Sequence, residues 1–424
     1  MIETSAARRT SISSSPISPS PVAKGVLAIA APRFGSTSET FIREHVRALG
    51  PERMILICQD GEGALELGPP VLADIEDVSP KSGLRRAAAS FRRRWQRHVD
   101  PRLISSEAGR VAAYLSRHHA TALLAEYGNF ACKFIDLCER LQLPLIAHFH
   151  GWDASMLLRD PPQLRHYGRL FAAAAAIVCP SAYLADRLRG AGCPPAKLHV
   201  CPYGIDPDRF PKGKARSPRQ FLAVGRLVEK KAPHLTIAAF ARVAEAFPDA
   251  VLHVVGDGRL RELCERTIEA QGLQAAVRMH GARPHTFVAD LMESSAVFVQ
   301  HSVEAASGDT EGLPVAILEA MMAGMAVVAT RHAGIPESVE SGANGILVDE
   351  RDVAGMAEAM RRLAENPGLA ERFGEEGRRR ALQRYARSVT EQKLRQVVFG
   401  EADPQPCLTA AGDVASSRSR IAHV

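Results

Sequence analysis

Short apolar runs alternating with helical patterns, in two series separated by one proline- and glycine-rich break, constrain this chain more than any other feature. The first series is Gly25-Val26-Leu27-Ala28-Ile29-Ala30, Arg53-Met54-Ile55-Leu56-Ile57-Cys58, Leu143-Pro144-Leu145-Ile146-Ala147-His148-Phe149, Ala176-Ile177-Val178-Cys179 and Leu198-His199-Val200-Cys201. The second contains the runs 221–224, 251–255, 277–280, 296–300, 326–330 and 345–348. Apolar runs this short, spaced by helix-length patterns, are strands buried on both faces, and a parallel sheet flanked by helices is the arrangement that buries them. The break after Tyr203-Gly204-Ile205-Asp206 is rich in proline, glycine and charge and reads as an interdomain linker.

The expected organisation is therefore a disordered tail over 1–23, an N-terminal Rossmann-like domain over 24–205, a linker over 206–218 and a second Rossmann-like domain over 219–385. A helix over 386–401 then has the option of returning to the first domain, and a disordered tail covers 402–424. The two tails are rich in small and polar residues without apolar periodicity. In open parallel sheets ligands bind outside the carboxyl ends of the strands, so two such domains facing each other define a cleft, and chemistry is expected at the strand ends that line it.

Composition narrows the class. With 424 residues and 46% hydrophobic content the chain can bury two substantial cores. Its eight cysteines are scattered, without C-x-x-C pairs or histidines at zinc spacing, so neither a disulfide framework nor a structural metal is expected, and a reducing cytoplasm is the simplest home. No apolar run is long enough to span a bilayer, and residues 1–20 lack the apolar centre of a secretory signal. The net charge of +6 is uneven: the segment 85–98 gathers Arg85, Arg86, Arg92, Arg93, Arg94 and Arg97 around Phe91 and Trp95. Such a segment is either a solvated surface helix with its aromatics turned inward or a basic face for an anionic membrane surface. No motif supports nucleic-acid binding.

Candidate chemistry falls at the strand ends. Glu311-Gly312-Leu313-Pro314 leads into an apolar helix carrying Glu319, and Pro314 suits the first helical position because its missing N–H would be unpaired there anyway. A helix start beside a glycine turn favours an anion, while carboxylates accept hydrogen bonds from hydroxyls; phosphate and polyol together suggest a sugar nucleotide. Gly225-Arg226 and Glu229-Lys230-Lys231 place cations at a strand end, suited to a diphosphate leaving group. Gly256 and Gly258 would let the backbone approach a ligand, although the third glycine of a dinucleotide fingerprint is missing. His148 and His150 alternate onto one side at the end of the run 146–150; His150 is the candidate for the cleft, with a core histidine as the other reading. The loop 33–38, containing Gly35, runs into a helix that Thr37 or Ser38 can cap. Asp206-Pro207-Asp208 has a metal-binding spacing but lies in the linker, and the cations at 226 and 231 already supply countercharge, so no metal is expected.

Together these motifs resemble the retaining GT-B glycosyltransferases of family 4, in their order, over most of the chain between the tails. The segments Ser38-Glu39-Thr40-Phe41-Ile42, Cys179-Pro180-Ser181, Tyr203-Gly204-Ile205-Asp206 and Gly334-Ile335-Pro336-Glu337 are similar to a narrower group that builds exopolysaccharides of the colanic-acid type. The resemblance implies a GT-B fold and transfer of a sugar from a nucleoside diphosphate sugar to an acceptor hydroxyl with retention, without cofactor or metal. It assigns Arg226 and Lys231 to the donor diphosphate, Glu311 to the sugar, the amides of Gly312 and Leu313 to sugar hydroxyls and Glu319 to the ribose. His150 would face the transferred sugar, and Gly35 would lie near the diphosphate. Many relatives have glycine where this chain has Pro314, which removes one amide donor from the sugar site. A glycan or lipid-linked oligosaccharide acceptor and work at the inner face of the plasma membrane follow as expectations. A GT-B sugar-nucleotide epimerase and a non-catalytic sugar-nucleotide-binding protein are the alternative readings.

Overall fold

A computed structural model describes residues 25–35, 40–75, 106–211 and 216–400. Both tails, the basic segment 85–98 and the capping residues Thr37 and Ser38 lie outside the described residues. The first sheet consists of β1 (Val26–Arg33), β2 (Met54–Asp60), β3 (Val71–Leu72), β4 (Ala120–Glu126), β5 (Leu145–His148), β6 (Ala176–Cys179) and β7 (Leu198–Val200). Their order is β3-β2-β1-β4-β5-β6-β7, and every pair is parallel. The second sheet consists of β8 (Ser217–Val224), β9 (Val251–Val255), β10 (Val277–Gly281), β11 (Ser295–Gln300), β12 (Ala326–Thr330) and β13 (Gly345–Val348). It is also all parallel, in the order β10-β9-β8-β11-β12-β13. Helices interleave with the strands in both halves, as parallel crossovers demand.

Two strands were not legible as such. Strand β3 is a two-residue edge, and β4 is the Ala120-Thr121-Ala122-Leu123-Leu124-Ala125-Glu126 run, whose alanines and leucines suit a helix at least as well. Burial decides the matter: β4 sits between β1 and β5, with Ala122 through Glu126 inaccessible on both faces. Strand β8 begins at Ser217, inside the segment expected to be linker.

The chain crosses between the halves twice, and the crossings are bonded to each other. The Ile205 amide donates to the Tyr385 carbonyl at 2.8 Å, and the Arg387 amide donates to the Ile205 carbonyl at 2.8 Å. The final helix, Arg387–Phe399, then places Leu394, Val398 and Phe399 against Leu27, Ile29 and Ile42 of the first half. At its start Arg387 meets Glu44 at 2.7 Å and Asp206 at 2.9 Å. Asp206 also caps the turn at Asp208, so its carboxylate is engaged in holding the crossover.

The halves meet directly through main chain. A Cβ added to Gly312 would lie 2.2 Å from the His150 carbonyl oxygen, and one on Gly334 would lie 2.1 Å from the Gly312 carbonyl oxygen. Beside them the Glu337 carboxylate accepts the amides of Ala182 and Tyr183 at 2.9 and 2.8 Å, an anion from the second half at a helix N-terminus of the first. No described helix is long and apolar enough to cross a membrane. Because each added methyl would force backbone apart, Gly312→Ala and Gly334→Ala are each expected to cost about 1–3 kcal/mol. Urea unfolding checks this, and midpoints equal to the parent protein would contradict the packing described.

Candidate active site

Strand order reverses between β1 and β4 in the first sheet and between β8 and β11 in the second, and crevices form outside the carboxyl ends at such points. The residues singled out from sequence gather at these ends. After β8, Gly225 adopts φ +150° and its amide donates to the Val255 carbonyl. The chain then turns through Arg226, which is exposed, into the turn Glu229–Lys231 and the helix Pro233–Ala246. A cavity opens here, lined among others by Gly225, Arg226, Lys231, Thr236 and Gln300. Gln300 ends β11 and its Oε1 is buried without a hydrogen-bond partner, an open acceptor at the edge of that cavity.

Lys231 reaches across to Glu311, with Nζ 2.8 Å from Oε1. Lys230, named from sequence with Lys231 as a cation of this strand end, instead turns the other way and ties down the same loop, meeting Asp309 Oδ1 at 2.9 Å and the Thr310 carbonyl at 3.1 Å. Burial alone would raise the pKa of Glu311; the ammonium groups of Lys231 and Lys230 and the hydrogen bond from Lys231 outweigh it and hold the carboxyl down at about 2. The Glu311 amide donates to His332 Nε2 at 3.1 Å, so that nitrogen carries the lone pair and Nδ1 carries the proton, donated to Glu350 Oε1 at 2.6 Å. His332 and Glu350 thus fix the main chain of Glu311. They escaped the sequence reading because neither belongs to a recognisable motif; the position of His332 two residues before Gly334-Ile335-Pro336-Glu337 was the available signal.

Gly312 and Leu313 follow, both buried, and the helix runs over Val315–Ala323. Pro314 has φ −64° and ψ 113°, outside the helical region, so it precedes the first helical residue instead of occupying it as expected. Glu319 lies on the helix with Oε1 2.8 Å from His285 Nε2, an interaction that raises the pKa of His285. It faces a cavity lined by Phe41, Glu44, Tyr203 and Arg209, separate from the one beside Lys231.

The expected glycines have distinct surroundings. Gly256 (φ +138°) and Gly258 (φ +154°) approach backbone: added Cβ atoms would lie 2.0 Å from the Gly225 carbonyl oxygen and 2.6 Å from that of Leu227. Their immediate role is to let the loop after β9 lie on the loop after β8. Gly35 packs in the same manner on the Glu62 carbonyl, 2.7 Å from where its Cβ would be.

Across the cleft, His150 lies just beyond β5, buried, with a ring contact to Phe41 at 4.4 Å. Its Nε2 is 2.8 Å from Glu126 Oε2 and its Nδ1 is 3.0 Å from the Tyr203 hydroxyl. Both ring nitrogens are therefore engaged within the protein. Asp153 accepts the amides of Gly128, His150 and Gly151 at 2.8, 2.9 and 3.0 Å, which fixes the loop. Among the described residues, His45, Glu126 and His148 form a buried group whose ligand atoms lie within 4.8 Å of one another, close enough to hold a cation.

Two parallel α/β halves, with a cationic strand end in one and a histidine-bearing loop in the other, form the GT-B architecture. The family models bear this out: residues 38–209 match Glycosyltransferase Family 4 and residues 204–380 match Glycosyl transferases group 1. The chain belongs to the family 4 glycosyltransferases. It is 34% identical over 266 residues to a protein of Escherichia coli named for colanic acid biosynthesis, WcaL, covering 61% of this chain and 64% of that one. To the amylovoran biosynthesis glycosyltransferase AmsK of Erwinia amylovora it is 31% identical over 241 residues, covering 56% and 59%. These matches span less than two thirds of either relative. Among solved structures, Anabaena HepE in complex with UDP superposes with a TM-score of 0.71 at 17% identity, over 89% of this chain and all of that one, a likeness of fold.

The Glu311 pair has a measurable pH signature. A carboxyl whose folded pKa is depressed contributes stability that is complete above its ordinary value of 4.5 and is lost as pH falls through about 2. Glu311→Gln is expected to shrink the loss of stability across that acid window in urea titrations; an unaltered acid limb would contradict the pairing.

Proposed function

We propose that this protein transfers a sugar from a nucleoside diphosphate sugar to an acceptor hydroxyl with retention of anomeric configuration, in the assembly of an exopolysaccharide or another cell-surface glycan. The observation that carries the reading is the Lys231–Glu311 pair, cation beside carboxylate, where the ends of β8 and β11 meet the loop that packs on His150. Arg226 and Lys231 neutralise the diphosphate as it leaves, a guanidinium fork and a point charge acting on one anion. Glu311, ionised at neutral pH, accepts hydrogen bonds from sugar hydroxyls and stabilises positive charge developing at the anomeric carbon. The amides of Gly312 and Leu313 serve the same sugar, and Glu319 serves the ribose.

Retention without a second carboxylate of the retaining-hydrolase type is consistent with the acceptor proton passing to the departing phosphate oxygen. The donor needs no further cofactor, since the cationic loop meets its charge. Relatives named for colanic acid and amylovoran biosynthesis support a glycan acceptor; we extend the proposal to a lipid-linked oligosaccharide and to action at the inner face of the plasma membrane.

The purified protein is expected to release nucleoside diphosphate from a sugar nucleotide only when acceptor is present. Glu311→Ala and Lys231→Ala are each expected to lower that rate by about 10²-fold or more while the protein remains folded. Normal turnover in either variant would overturn the site. Release without acceptor, accompanied by an epimerised sugar, would overturn transfer in favour of epimerisation.

A further inference from the structure

We propose that Glu126 is a positioning residue for transfer: its buried carboxylate holds the His150 imidazole in one tautomer and orientation and, through it, sets the Tyr203 hydroxyl and the main chain that Gly312 packs against. The proposal rests on the transferase reading above and extends it to a residue that the motifs do not include.

Glu126 ends β4, beside the point where the strand order of the first sheet reverses, and it has no exposed surface. Three imidazoles converge on it from three elements. His45, from the helix Thr40–Leu49, brings Nδ1 to 2.9 Å of Oε1; His148, at the end of β5, brings Nδ1 to 3.3 Å of Oε2; His150, from the following loop, brings Nε2 to 2.8 Å of Oε2. A carboxylate removed from water is strongly disfavoured unless donors replace its hydration. Here His45 and His150 do, at 2.9 and 2.8 Å, while His148 Nδ1 lies 3.3 Å away without a hydrogen bond.

An ionised carboxylate only accepts, so His150 Nε2 must carry a proton at that distance. In the neutral ring Nδ1 then offers a lone pair to the Tyr203 hydroxyl, which lies 3.0 Å from it and 3.4 Å from the His150 carbonyl, so the ring nitrogen is the nearer acceptor. The chain carboxylate, imidazole, phenol has one direction, and Glu126 sets it. A second tie reinforces the first, because Asp153 binds the amides of both Gly128, two residues beyond Glu126, and His150. The His150 carbonyl in turn lies against Gly312, next to Glu311. Glu126 therefore acts on the sugar-binding loop through His150 without needing to touch substrate.

A bound cation is the competing use of the same atoms, since His45, Glu126 and His148 are close enough to share one. If His150 joined such a site its Nε2 would have to present a lone pair to the ion, whereas the positioning role requires a proton there. Ring-nitrogen protonation and metal content therefore separate the two.

The test uses the full chain and Glu126→Gln, which keeps size while allowing an amide N–H to face His150 Nε2. Expected is a fall in kcat for acceptor-dependent nucleotide release of about 10²-fold or more, with KM for the sugar nucleotide within about threefold of the parent. In the parent protein, ¹⁵N spectra of the histidine rings should show His150 protonated at Nε2, and the variant should lose that signal. A kcat within about threefold of the parent, or a His150 Nε2 without a proton in the parent, whether from the other tautomer or from a bound transition metal, would each overturn the proposal. If Glu126→Gln does not fold, the parent ring spectrum and metal content still decide it. Absence of release by the parent protein would overturn the transferase reading, and the ring spectrum would report on the Glu126–His150 bond independently.

Discussion

The structure depends on how closely the two halves approach through main chain at Gly312. There the loop carrying Glu311 lies on the His150 carbonyl, and Gly334 lies on the Gly312 carbonyl in turn, with no room for a side chain at either position. Packing of this kind resists small changes, because a protein interior has little free volume to absorb a methyl group. Its consequence is geometric: loops at the carboxyl ends of the two sheets meet, and Glu311, paired with Lys231, comes to lie next to the main chain of His150. The hydrogen bonds joining Ile205 to Tyr385 and Arg387 hold the two chain crossings together, so the halves are tied at a second place as well.

Two buried carboxylates lie on opposite sides of this contact, and they are stabilised by different chemistry. Glu311 is paired with the Lys231 ammonium group, a point charge 2.8 Å from its carboxylate in the second half. Glu126 is surrounded by imidazoles, which carry movable protons and two inequivalent nitrogens each. The first arrangement suits a site that must accept a phosphate next to a carboxylate without changing protonation. The second suits a loop whose orientation is set by where a proton sits. Removing one member of either set would leave an uncompensated buried charge, so their side chains are coupled and their mutational effects should not add.

Much of the fold was legible because a parallel sheet covered on both faces turns burial directly into apolar runs, as at Val251–Val255 and Ala326–Thr330. The same rule fails for Ala120–Glu126, where alanine and leucine satisfy a helix equally well and only the neighbouring strands β1 and β5 choose. That strand carries Glu126, so the deepest part of the first half was invisible for the same reason. In the second half, Lys231 and Glu311 stood out through their spacing, whereas His332 and Glu350 act by tying down main chain, which leaves no periodic trace. The glycines at 256 and 258 illustrate the reverse case: their freedom was apparent, but what they approach, the loop at 225–227, depends on tertiary structure.

The central claim is that the cleft at the ends of β8 and β11 receives the diphosphate of a sugar nucleotide. A crystal structure of the protein with a nucleoside diphosphate bound tests it most directly. The phosphates are expected within hydrogen-bond reach of Arg226 and Lys231, with the Lys231–Glu311 contact opened or shared. A nucleotide seated elsewhere, with that pair closed and untouched, would contradict it.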